Sequence, residues 1–238
     1  MLIGIWVIPW RSFASQVMEV STLLEPDPAT TVATRILTEA YAELGITLNV
    51  IKMPGERSLV SANVGSTDGE LYRKLGMEQQ YANLRIIPVM LMRYEIVAFC
   101  KCTPFQLNGW ESLRPYRLGF VKGIKIVEAN TVGMKIEPVP TLSQAFDKLE
   151  LGRSDLVLVN RLSGVAMQQQ KGMTDITQLM PALASFPVFH YVHKKHEALI
   201  PQLTEVMRRL EKNGVIERIN HEVFSELERR PPTKAKGK

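Results

Sequence analysis

Arg73 closes the run Asp68-Gly69-Glu70-Leu71-Tyr72-Arg73. Its planar guanidinium is suited to grip a carboxylate through two parallel hydrogen bonds; the alternative is a surface arginine at a strand end. Glu70 lies on the same stretch, where it either receives a ligand ammonium or pairs with Arg73. Tyr72 adds a hydroxyl between them. Arg57 follows Pro54-Gly55 at a helix start and either faces a cleft or braces a strand loop. Lys122-Gly123 opens what reads as a helix N-terminus, whose free N–H groups favour anions, with the backbone a better contact than the lysine side chain. Glu25 sits in a strand-to-helix loop, and Asn160 ends the apolar run DLVLVN. The chemistry these residues offer is charge pairing and hydrogen bonding to a small polar molecule.

Other chemistries lack their signatures. There is no G-x-S-x-G elbow, phosphate-binding loop or G-x-G-x-x-G fingerprint, and no cofactor is expected. His190, His193 and His196 are spaced by three along a strand and its exit, so successive rings point to opposite faces, and no metal site is expected. Cys100 and Cys102 are one residue apart on a strand; two reduced, part-buried thiols are expected, because a disulfide across one residue is strained.

Two matching segments position the candidates. ERSLVSANVGSTDGELYR reads as a helix end, a Gly65 break, an acidic turn and a strand; SQAFDKLELGRSDLVLVN repeats that grammar 87 positions later, with Gly152 for Gly65 and Asp155 for Asp68. Around them the periodicity predicts a strand over 17–24, a helix capped by Asp27 with Pro28 in its first turn, and a strand over 46–53. A long strand over 85–101 bends near Tyr94. A second unit follows, with strands at 117–121, 136–139 and 155–160. Its helix at Leu142 is capped by Thr141, with Gln144 completing a capping box. A strand over 186–193 and two helices over 201–227 close the chain. Strand–helix–strand units of this length imply parallel sheets and an α/β fold. Ligands in such sheets sit beyond the carboxyl ends of the strands, which selects the loops at Leu24–Asp27, Tyr72-Arg73, Lys122-Gly123 and Asn160-Arg161.

With 238 residues, 45% hydrophobic and 22% charged, the chain can build a sizeable core in two lobes. The net charge of +5 resides in the tail Arg229–Lys238, which has five basic residues and no acid, so the body is neutral and no nucleic-acid partner is expected. MLIGIWVIPW is apolar but too short to span a bilayer. With Ser12-Phe13-Ala14 behind it, residues 1–16 read as a truncated secretory signal; a buried first strand is the alternative.

The stretches PGERSLVSANVGSTDGELYR, YANLRIIPVMLMRYEIVAFCK, LRPYRLGFVKG, SQAFDKLELGRSDLVLVN and KNGVIERIN, in this order and spacing, resemble the bacterial extracellular solute-binding proteins of the polar amino-acid class (substrate-binding family 3 of ABC transporters) over Val17–Leu227. The resemblance implies a two-lobed periplasmic-binding-protein-like clamp, each lobe a mainly parallel sheet flanked by helices. It divides into lobe one (17–98 plus 193–228), lobe two (99–192) and a disordered basic tail (229–238). The function implied is a periplasmic monomer that closes on a small polar or anionic solute and presents it to an inner-membrane ABC permease. Two departures bear on the ligand. The Thr-rich segment preceding the family's carboxylate-gripping arginine is absent, leaving Arg73 nearest, and Asn160 stands where an ammonium-binding Asp is usual. Asn accepts a hydrogen bond but does not offset a buried positive charge. An enzyme on this fold, with Glu70 or Glu25 as general acid/base, and a sensory module for a membrane receptor are the other readings.

Overall fold

The computed structural model describes residues 16–24 and 27–229. Glu25, the expected signal segment apart from Gln16, and the basic tail beyond Arg229 lie outside them.

The described residues begin with β1 (Gln16–Leu23), α1 (Pro28–Ala42), β2 (Ile46–Met53), α2 (Gly55–Asn63) and β3 (Gly69–Lys74). Asp27 caps α1 as its spacing predicts: Oδ1 accepts the Ala29 N–H at 3.0 Å and Pro28 occupies the first turn. The apolar stripe Val32, Ile36, Leu37 and Ala40 faces the core. A long β4 (Leu84–Cys100) leads to β5 (Arg117–Val121), α3 (Lys125–Asn130), β6 (Lys135–Val139), α4 (Leu142–Glu150), β7 (Leu156–Asn160) and α5 (Arg161–Lys171). The chain returns through β8 (Thr177–His193), and the described residues end in α6 (Ile200–Lys212) and α7 (Val215–Arg229). The Thr141–Gln144 capping box at α4 is formed in both directions.

Among the described residues, eight strands make one sheet in the order β2-β1-β3-β8-β4-β7-β5-β6. β1 runs parallel to β2 and β3, and β5 runs parallel to β6 and β7. Between these sets, β4 and β8 form an antiparallel pair of 17-residue strands. β3 pairs with β8 only between Val188 and Val192, and β7 pairs with β4 only over Ile96–Cys100. Each long strand therefore serves both halves, and the crossing falls near Tyr94, opposite Phe186. Adjacent residues of β4 and β7 point to opposite faces. One face carries a core that runs unbroken from α1, α6 and α7 to α4 and α5, through Val97, Phe99, Phe146, Val157 and Met207. The other face carries two separate cores, one around Leu59, Tyr81 and Tyr191, the other around Leu113, Phe120 and Val127.

The repeated glycine-to-aspartate grammar is a repeated structure. Gly65 and Gly152 take φ of 79° and 64°, the left-handed region needed to leave a helix. The next residues close the turn identically: Ser66 N–H donates to Ser61 O at 3.0 Å, and Arg153 N–H to Lys148 O at 2.8 Å. Asp68 N–H then donates to Glu19 O while its Oδ2 accepts the Glu19 N–H at 2.8 Å. Asp155 does the same with Arg117, accepting its N–H at 2.7 Å. Both aspartates stand at the amino ends of β3 and β7, opposite the ends where a ligand is expected.

Two expectations are corrected. β8 starts at Thr177 rather than Phe186, because its first half is irregular in polarity and contains Pro181, which demotes a strand in sequence; pairing with β4 from Thr177 to Ala184 holds it extended. Cys100 and Cys102 are not reduced thiols but a disulfide. β4 ends at Cys100, and a bend at 101–103 brings Cys102 back to a Cα separation of 5.3 Å, within bonding reach.

Candidate functional site

The carboxyl ends of the parallel strands converge on Asp27. Its cap bond to Ala29 uses one of several donors aimed at the same carboxylate. Oδ2 accepts the hydroxyls of Tyr72, from the end of β3, and Tyr94, from the bend of β4, each at 3.0 Å. Oδ1 lies 3.3 Å from the Ser163 hydroxyl on α5, in the other half of the molecule. Thr30 Oγ1 lies 3.4 Å from the Tyr72 hydroxyl. Burial, and then the charge of Asp27, push both tyrosines well above the ordinary phenol range, so each stays a protonated donor. Tyr94 also stacks on Phe186 at the crossing, with ring centroids 5.6 Å apart. Strands β3, β4 and β8 thus fix two of the donors, and α5 supplies the third across the gap between the halves.

Beside this cluster lies a groove of about 690 Å³. α1 and Lys52 of β2 form one wall, the start of α4 and the length of α5 from Ser163 to Gln170 the other, and α7 contributes Val223, Glu226 and Leu227. Asp27, Thr30, Thr141, Ser143 and Ser163 give it a hydroxyl-rich lining. Arg35 enters it paired with Glu226 through two 2.8 Å hydrogen bonds. Lys52 has no carboxylate partner among the described residues. A second hollow, of about 310 Å³, sits beside the disulfide and is lined by Phe105, Tyr116 and Leu149, all from the second half. It gathers no polar groups from both halves, so the groove at Asp27 is the candidate site.

Of the residues expected from sequence, Glu70 and Arg73 come together. Glu70 is fully buried; its Oε1 lies 2.6 Å from Arg73 Nη2, an ion pair off the hydrogen-bond axis, and its Oε2 accepts from Ser58 at 2.5 Å and Ser21 at 3.0 Å. Arg73 also donates to Gly55 O at 3.2 Å. Burial raises the Glu70 pKa, and the opposing pull of Arg73 and the serines does not cancel it. Tyr72 joins the Asp27 cluster. Asn160 caps α5, its Oδ1 accepting the Ser163 N–H at 3.2 Å, and so sits directly behind the serine that reaches Asp27. Arg57 is exposed on α2 with no partner among the described residues. At the end of β5, Lys122 N–H donates to Val139 O, and the Gly123 N–H is taken by Glu128 at 2.7 Å. None of these lines the groove.

Sequence reasoning read Asp27 only as a cap, and passed over its partners Tyr94 and Ser163 and the groove-lining Thr30 and Lys52. The carboxyl-end rule did select the loop that ends at Asp27. Nothing in the sequence marks Ser163.

No known protein-family profile matches the chain. An uncharacterized protein of Shewanella oneidensis is 23% identical over 202 residues, 81% of this chain and 76% of that protein. Among solved structures, the GluR0 ligand-binding core in complex with L-glutamate aligns with a TM-score of 0.72 at 10% identity, covering 89% of this chain and 99% of that one. A mutant of ArgBP from T. maritima aligns with a TM-score of 0.68 at 18% identity, covering 88% and 95%. Structures similar to this one are mainly binding proteins rather than enzymes. At these identities the likeness is one of fold: a mixed α/β sheet flanked by helices, shared with these proteins over most of both chains.

Proposed function

We propose that the chain is a solute-binding protein that captures a small polar or anionic, amino-acid-like solute between its two lobes and delivers it, in the periplasm, to an ABC-type permease. The observation that carries this reading is the convergence of hydroxyl and charged groups from both halves on one interlobe groove: Asp27, Thr30 and Lys52 from the first, Thr141 and Ser163 from the second. Amino-acid-binding relatives in fold support the solute class. The lobes are drawn as 17–98 plus 193–228 and 99–192, and the pairing of β8 with β3 from Val188 onward favours moving the second crossing toward residues 185–188. No helix among the described residues is long and apolar enough to cross a membrane. In this reading Tyr72 and Asn160 hold the groove's polar groups in place, the Glu70–Arg73 pair braces β3 against α2, and Arg57, Lys122 and Gly123 stand at the periphery.

The test is thermal denaturation of the full chain against amino acids, dicarboxylates and small peptides. A ligand that binds only the folded state stabilises it by mass action, by about 2.7 kcal/mol at a hundredfold excess over Kd. A saturable rise in Tm that weakens in Lys52→Ala is expected. No rise with any member of the panel would overturn the reading.

A further inference from the structure

Asp27 has more donors than a helix cap needs. A carboxylate offers about four lone-pair sites, and four donors reach this one: the Ala29 N–H and the hydroxyls of Tyr72, Tyr94 and Ser163. They come from α1, β3, β4 and α5, so two halves of the molecule and one of its crossing strands meet on a single anion. No lysine or arginine pairs with that anion among the described residues; hydroxyls and one amide do the whole of the work. Such an arrangement recognises the shape and hydrogen-bonding capacity of a carboxylate rather than its charge alone. In a clamp, the position bridging the two lobes is the position of the bound solute.

We propose that Tyr72, Tyr94 and Ser163 form a carboxylate subsite which Asp27 fills as a built-in occupant, and that the solute is a small monocarboxylate whose carboxylate exchanges with Asp27 there. The proposal rests on the solute-binding reading and names its ligand class. Two carboxylates do not share the cage, because like charges in a half-buried site repel and the lone-pair sites are already matched to the donors. Exchange replaces one carboxylate by another, so the buried hydroxyls are never left without an acceptor. Lys52 and the hydroxyl-rich wall of the same groove remain for the rest of the solute. Asp27 then sets specificity by competition: a solute without a carboxylate gains nothing by displacing it.

Chemical rescue tests this directly. Asp27→Ala removes the carboxylate and leaves its donors, so the variant should melt below the wild type. Sodium acetate should then restore a saturable part of the loss, while acetamide at the same ionic strength should not. The wild type should show no comparable response, and Asp27→Ala combined with Tyr72→Phe should respond more weakly. Acetate acting equally on wild type and variant, or on neither, would overturn the proposal. Should Asp27→Ala fail to fold, Asp27→Asn keeps the size of the side chain but is a weaker occupant. Its Kd for acetate should then be lower than the wild type's by about tenfold or more, the weight of one hydrogen bond to a charged group. An unchanged or higher Kd would sink the exchange. If acetate rescues Asp27→Ala while the wild type binds nothing in the broader panel, the solute reading fails and the cage stands. If the panel yields a ligand but acetate rescues nothing, the cage fails and the solute reading stands.

Discussion

Arg73→Ala separates a brace from a ligand grip. The Glu70 side chain is fully buried and that of Arg73 is 16% exposed, with 2.6 Å between Oε1 and Nη2. Removing the cation leaves a buried carboxylate with only its two serine donors, and breaking a buried pair from one side costs about 3–5 kcal/mol. The loss depends on pH with a definite sign. Burial lifts the Glu70 carboxyl above its unfolded value in the intact protein, and losing the arginine lifts it further. A carboxyl raised in the folded state contributes fully below its unfolded value, about 4.3, and that contribution is lost as pH rises through the folded value. At pH 8 the variant should therefore carry the whole penalty. At pH 5, nearer the unfolded value, the loss should be smaller, falling toward the roughly 1–2 kcal/mol of the lost bond to Gly55 and the lost packing as the carboxyl takes up a proton. Urea unfolding at both pH values measures this. Glu70→Gln added to Arg73→Ala should recover part of the stability at pH 8, since no charge is then stranded. A loss independent of pH, or a double variant destabilised by the sum of the two single changes, would refute the reasoning.

Two further predictions concern the core. His190 is wholly buried; its Nδ1 lies 2.9 Å from Glu70 O and so carries the proton, while Nε2 accepts the Tyr41 hydroxyl at 2.8 Å. Burial lowers its pKa to about 4. Between that value and the unfolded value near 6.5 the unfolded chain binds more protons, so stability falls as pH drops through this window. The loss is about 3 kcal/mol, and His190→Phe should flatten that limb in urea unfolding; an unchanged slope would contradict it. Gly164 lies where α5 touches the sheet, and a Cβ there would sit 2.1 Å from Phe99 Cε2. Gly164→Ala should lose about 1–3 kcal/mol by overpacking, read as a lowered Tm; wild-type stability would show that the contact relaxes freely.

What the sequence determined by itself is the set of features closed within a few residues. The Asp27 cap, the Thr141–Gln144 box and the glycine turns before Asp68 and Asp155 each satisfy their backbone groups within about one helical turn, so type and spacing suffice to read them. Most of the strands followed, and with them the α/β class; the first half of β8 did not. Only the tertiary structure decided what these parts face. Tyr72, Tyr94 and Ser163 stand 45, 67 and 136 residues from Asp27, and none is unusual at its own position. Of the two alternatives for Glu70, its pairing with Arg73 forms because β3 buries both beside α2, and that packing is what chooses between them. Local hydrogen bonds leave a pattern in the chain because their partners are neighbours in it. The site at Asp27 leaves none, because convergence of β3, β4 and α5 is what makes those residues neighbours at all.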